Sequence, residues 1–144
     1  MIHHLRASRR GLFLASLLIV VMAAGALAAT LPLQSSPEIP AAEGKATLRV
    51  TKNQNTEITL RVKHLAPPER IAQGTAMFVV WVRGLEADAQ PQSLGALRVD
   101  KNLNGKLRAV TALPTFDLFI TCESSQTVAT PTGMRLLPLH YTGK

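Results

Sequence analysis

From residue 46 onward, apolar and polar positions follow a period of two. Ala46, Leu48 and Val50 alternate with Thr47, Arg49 and Thr51. After the polar loop Lys52-Asn53-Gln54-Asn55, Ile58, Leu60 and Val62 alternate with Thr59, Arg61 and Lys63. Strict alternation sets one face of a strand on a core and the other in water, the pattern of antiparallel sheets. The second strand stops at His64-Leu65-Ala66-Pro67-Pro68, because two prolines cannot donate to a ladder and favour polyproline geometry. The chain is expected to cross between sheets there. Residues 76–82 (AMFVVWV) are apolar on both faces and predict a third strand.

A fourth strand is predicted over about 94–100 and a fifth over 106–112. Between them Asn104-Gly105 supplies the positive φ angles of a tight hairpin. A two-residue turn sets Val99 opposite Val110. A five-residue loop sets Asp100 opposite Lys106 and Val99 opposite Leu107, and is preferred because it pairs opposite charges. After Pro114, Phe116, Leu118, Ile120 and Cys122 alternate with Asp117, Phe119, Thr121 and Glu123. The last strand, near 134–141, follows a Ser/Thr/Pro/Gly loop, and Pro138 marks it as an edge or bulged strand. About seven short strands with closely spaced turns predict an all-β, antiparallel two-sheet sandwich of immunoglobulin type.

Several short motifs lie along these strands. They are Val79-Val80-Trp81-Val82, Leu94-Gly95-Ala96-Leu97 with Asp100 and Gly105, and Phe116-Asp117-Leu118-Phe119-Ile120-Thr121-Cys122-Glu123 leading to Pro131-Thr132-Gly133. Together, over about 76–133, they resemble the extracytoplasmic domain of the anti-sigma-K factor family. The resemblance implies a β-sandwich outside the membrane, attached to a cytosolic module that holds a sigma factor. Only about ten residues precede the apolar N-terminal segment here, and they contain no zinc-type Cys/His cluster. Sigma-factor binding therefore does not carry over.

The N-terminal pattern is of another kind. Arg6, Arg9 and Arg10 precede an apolar stretch from Gly11 to Met22, and small residues ending Ala26-Leu27-Ala28-Ala29 form an A-x-A cleavage site. This predicts a helical signal peptide over 1–28, with the mature chain starting at Ala29. The uncharged run 11–29 has 19 residues, just long enough to span a bilayer, so retention as an inner-membrane anchor is the alternative. Its last third, Ala and Gly in place of Leu and Ile, favours cleavage. Ser8-Arg9-Arg10-Gly11-Leu12-Phe13-Leu14 looks like a twin-arginine motif with Leu and Phe exchanged, whereas the strong apolarity suits the general secretory route. Either route makes the protein extracytoplasmic, periplasmic or secreted. Residues 29–44, with three Pro and two Ser, read as an extended linker to a domain over 45–144.

Removing the signal changes the charge. The formal +7 includes three basic residues of the signal, leaving 13 basic against 9 acidic residues, or +4. The basic residues are spread singly along strands and aromatics are few, whereas nucleic-acid binding asks for a basic stripe with stacking rings. Nucleic acid is not an expected partner. Cys122 is the single cysteine, so no intramolecular disulfide forms and stability rests on packing. It reads as a small buried hydrophobe on the face of Leu118 and Ile120, with pairing between chains as the alternative.

Candidate chemistry is sparse. Asp100-Lys101-Asn102-Leu103-Asn104-Gly105 fits the first half of a calcium loop, but the twelfth position is Thr111 and Lys101, Lys106 and Arg108 surround the site with positive charge. His64, Cys122, Met134 and His140 are the ligand types of a blue-copper site in the wrong order and spacing. His64 continues the apolar face of Ile58, Leu60 and Val62 and reads as a strand-end residue. No nucleophile motif accompanies the histidines, so neither an enzyme nor a cofactor is expected. Met77, Val79 and Trp81 share the strand face opposite Phe78, Val80 and Val82. Either Trp81 faces the core, or this strip is an outward protein-binding or self-association surface. The expected role is non-catalytic, in contact with another protein or the cell envelope. A membrane-anchored sensor-like domain and a metal-binding module are the alternatives.

Overall fold

The computed structural model describes residues 27–143. The predicted signal helix falls on residues that, up to position 26, lie outside the described ones. Among the described residues, nine strands form two wholly antiparallel sheets. A five-stranded sheet contains β1 (Ala29–Pro32), β2 (Glu43–Val50), β3 (Thr56–Lys63), β7 (Gly105–Thr111) and β6 (Arg98–Val99), in that spatial order. A four-stranded sheet contains β5 (Gln92–Ala96), β4 (Met77–Arg83), β8 (Thr115–Glu123) and β9 (Leu136–Thr142). One short helix, α1 (Pro68–Ile71), joins β3 to β4 across the sheets, with Pro67 in polyproline geometry before it.

The predicted alternation decides what lies inside. Ala46, Leu48, Ile58, Leu60 and Val62 of one sheet meet Phe78, Val80, Val82, Phe116, Leu118 and Ile120 of the other in one buried cluster. This is a sandwich-like all-β fold. Cys122 is buried on the face of Leu118 and Ile120, as expected. Burial, and after it the neighbouring Glu123 carboxylate, pushes its thiol up to about 11.

Three expectations change. Residues 29–44 are not a linker standing off from the domain. β1 pairs with β2, from Ala29 opposite Leu48 to Pro32 opposite Lys45. Leu33, Ile39 and Ala42 are then buried in the core. Gln34 N–H donates to Pro138 C=O (3.0 Å), and the Ser36 hydroxyl accepts Leu137 N–H (2.7 Å). The segment is a strap tying β1 to β9, so the domain begins near Ala29 rather than at 45. Its core residues sit at irregular spacing between turns, which leaves no period to detect.

The expected fourth strand is two strands. The chain pairs with β4 as β5, buries Leu97, whose N–H donates to Phe78 C=O (2.8 Å), and pairs with β7 as β6. The β6–β7 register matches neither expectation: Val99 lies opposite Gly105 and Arg98 opposite Lys106. The positive φ falls on Leu103 (60°) rather than on Asn104-Gly105. Gly105 is required for close approach instead, because a Cβ there would overlap the Leu97 side chain.

Candidate functional site

Each sheet has an outer face, and the two differ. On the four-stranded sheet, Val79, Trp81 and Phe119 form a second buried cluster, with Met77 and Val128 packed against it. Trp81 is completely buried, yet on the side away from the main core. Both expectations for this strip therefore fail. Trp81 does not face the inter-sheet core, and Met77, Val79 and Trp81 do not form an exposed surface. The segment between β8 and β9, residues 124–135, closes over them. Arg135 lies over the Phe119 ring at 4.3 Å from its centroid, a cation–π contact.

A hydrogen-bond chain fixes this cover. Trp81 Nε1–H donates to Thr121 Oγ1 (2.9 Å), and the Thr121 hydroxyl donates to Glu123 Oε1 (2.6 Å). The same oxygen accepts the N–H groups of Thr132 (2.9 Å) and Gly133 (3.4 Å), while Oε2 accepts the Thr132 hydroxyl. Gly133 is needed because a Cβ there would stand 2.8 Å from Cys122 C=O. Burial alone would raise the Glu123 pKa, but the bonds from Thr121, Thr132 and Gly133 outweigh it and hold the carboxylate below its ordinary range. A buried charge that accepts this many bonds is a structural latch.

The five-stranded sheet is open on its outer face. The register lines up Lys45 opposite Arg61, Arg61 opposite Lys106, and Lys106 opposite Arg98. Four cations thus stand in one row across four adjacent strands, spanning roughly 14 Å at the usual strand spacing. All four are exposed, and none has an ion-pair partner among the described residues. Lys63 stands beside the row, opposite Glu43. Farther along the same face, Glu57 bridges Arg49 and Arg108, each at 3.0 Å. The Arg108 hydrogen bond, reinforced by the charges of Arg108 and Arg49, holds the Glu57 carboxyl below its ordinary range.

Like charges directly opposite on neighbouring strands are destabilising. At a separation of about 6 Å each adjacent pair repels by about 0.7 kcal/mol in water. Two shallow hollows, of about 320 and 260 Å³, follow the row. Lys45, Arg61, Lys63 and Glu43 line the first, and Arg61, Lys63 and Lys106 contribute to the second. The sequence reading saw these cations as isolated. They are separate along the chain and adjacent across it, and only the strand register brings them together. Outward positions of alternating strands occupied by Lys45, Arg61 and Lys106 were the available signal. No aromatic residue lies on the outward positions of β2, β3, β6 or β7, so stacking platforms for bases are lacking on this face.

The remaining candidates are dispersed. Asp100 Oδ1 accepts the N–H groups of Asn102 (2.9 Å) and Asn104 (3.0 Å), so the carboxylate caps its own loop. His64 is exposed at φ 57° and does not continue the apolar face of β3. Cys122 is in the core and Met134 is exposed, and no group of three or more His, Cys, Asp or Glu converges among the described residues. His140 Nδ1 and Asp117 Oδ1 are 2.7 Å apart, and His140 Nε2 is 3.4 Å from the Thr142 hydroxyl. This grouping was not anticipated. A hollow beside it is lined by Asp117, Phe119, Arg135 and His140 but not by Thr142, so hydroxyl and substrate-sized space do not coincide. Among the described residues no helix is long and apolar enough to cross a membrane. No protein family, curated protein or solved structure matches this chain.

Proposed function

We propose that this chain is an exported, non-catalytic β-sandwich of immunoglobulin type that holds to the cell envelope through the outer face of its five-stranded sheet. The observation that carries the reading is the row Lys45–Arg61–Lys106–Arg98. Four cations in adjacent register repel one another, and none of them is in an ion pair among the described residues. An anionic surface turns that repulsion into attraction. The strand order supports the immunoglobulin type. With β2 to β9 taken as strands A, B, C, C′, D, E, F and G, the sheets read A-B-E-D and C′-C-F-G. Export rests on the signal-like segment before Ala29.

The test is co-sedimentation of the full chain with isolated envelopes. Lys45→Gln, Arg61→Gln, Arg98→Gln and Lys106→Gln combined should remove the part of retention that high salt releases, while far-UV circular dichroism stays unchanged. Retention equal to wild type overturns the reading.

A sensor-like extracytoplasmic domain is the second reading. It is favoured by the way the motif residues shared with anti-sigma-K ectodomains converge. Thr121 and Glu123 of β8 meet Thr132 and Gly133 of the following loop in one hydrogen-bonded latch over Trp81.

A further inference from the structure

We propose that the partner of the cation row is the headgroup layer of an anionic phospholipid membrane. The proposal rests on the reading of this face as an envelope contact and names its occupant. Three observations point to lipid. First, the charges form a patch rather than a pocket. Lys45, Arg61, Lys106, Arg98 and Lys63 face one way, with two acids at the margins, Glu43 opposite Lys63 and Asp100 at the rim of the second hollow. A planar array of negative headgroups complements such a patch over its whole area, and the two shallow hollows between the cations leave room for phosphate groups.

Second, the face lies on the sheet that begins at Ala29. The uncharged run 11–29 and β1 share that residue, so no linker separates the apolar segment from the edge of this sheet. A kept segment holds this edge at the bilayer. Third, the opposite face of the sandwich is sealed by residues 124–135 over Val79, Trp81 and Phe119. The open cationic face belongs to the sheet whose edge strand β1 begins at Ala29.

The strength follows from the charges. A Lys or Arg near an anionic surface contributes roughly fivefold in partitioning, so removing the four row cations lowers binding by roughly several hundredfold. The attraction is screened within roughly 10 Å at 0.1 M salt, so raising the ionic strength has the same direction of effect.

The experiment is lysine footprinting of the full chain by acetylation, on phosphatidylglycerol vesicles and on phosphatidylcholine vesicles. An inserting N-terminal segment partitions into both, so the comparison isolates the face. The expected result is protection of Lys45 and Lys106 on phosphatidylglycerol only, reversed by 0.5 M salt (roughly a 4 Å screening length). Lys52 lies off the row, at the end of β2 where β1 enters, so any protection it gains from the N-terminal segment should be the same on both kinds of vesicle. Equal protection on both vesicles overturns a role for headgroup charge. Protection by isolated peptidoglycan or an acidic glycan, without protection by phosphatidylglycerol, overturns the lipid and leaves the envelope reading standing. No protection by any of these overturns both.

Discussion

Replacing Glu123 tests the latch that seals the outer face of the four-stranded sheet. The carboxylate is fully buried and accepts four hydrogen bonds, two from Thr and two from backbone N–H groups. In Glu123→Ala the buried Thr121 hydroxyl loses its acceptor, and so do the part-buried donors of Thr132 and Gly133. A hydrogen bond to a charged group is worth about 1.5–3 kcal/mol, and each orphaned buried donor costs about 1–3 kcal/mol. The bonds share one acceptor group and are not additive. The Gly133 contact is long and the Thr132 hydroxyl can turn to water, so the loss is dominated by Thr132 N–H and the buried Thr121 hydroxyl. That gives about 2–4 kcal/mol, a large part of the stability of a domain this size. Glu123→Gln keeps one carbonyl oxygen in place and loses the charge, for about 1–2 kcal/mol.

Trp81 is the single tryptophan and lies directly under the latch, so its emission reports on this cluster. Urea unfolding followed by Trp81 fluorescence gives the stability change, and amide exchange at Thr132 and Gly133 shows whether the loop opens first. The pH dependence adds a sign. The folded-state pKa of Glu123 lies below the ordinary 4.5. Its stabilisation is therefore complete above that pH and is lost as pH falls through the folded-state value. Glu57 is shifted in the same direction, so Glu123→Gln should flatten the acid limb of the stability curve only in part. A Glu123→Ala protein within about 0.5 kcal/mol of wild type, with native Trp81 emission, would refute the latch.

Ser36→Ala should cost about 1–2 kcal/mol in chemical denaturation, because Leu137 N–H loses its acceptor in the core; an unchanged midpoint would show that the strap contributes nothing. Gly105→Ala should cost about 1–3 kcal/mol from overlap with Leu97, whereas a neutral result would place the sheet-switching strand elsewhere. The Cys122 thiol, buried and with its pKa at about 11, should not react with a disulfide reagent at pH 8 until the protein is unfolded, and rapid native-state labelling would contradict its place in the core.

The strands with clean alternation were legible in the sequence because one of their faces meets a single extended core. Leu48, Ile58, Leu60 and Val62 could be assigned inward, and so could Phe78, Val80, Val82, Leu118 and Ile120. Elements whose partners are distant in sequence were not legible. The strap 33–42 buries Leu33, Ile39 and Ala42 singly, with Ser36 bonding a residue a hundred positions away. β4 read correctly as apolar on both sides, yet its second face is covered by a polar loop whose anchoring depends on Glu123, a residue that reads from sequence as solvent-facing. The cation row was invisible for the same reason in reverse. Lys45, Arg61, Arg98 and Lys106 are ordinary outward residues of four strands until pairing sets them side by side.

The contrast between the two outer faces is the strongest structural argument about use. A sandwich needs only its inner faces to fold. On the four-stranded sheet the outer face is apolar, and the chain spends a twelve-residue segment and a buried carboxylate on closing it. On the five-stranded sheet no segment among the described residues crosses the outer face, although neutral residues there would have avoided the repulsion of three adjacent like-charge pairs. The same face shows that pairing was within reach, since Glu57 neutralises Arg49 and Arg108 two rows away. Folding gains nothing from the unpaired row, and an anionic surface gains from every member of it. The proposed contact with such a surface would account for the row where stability does not.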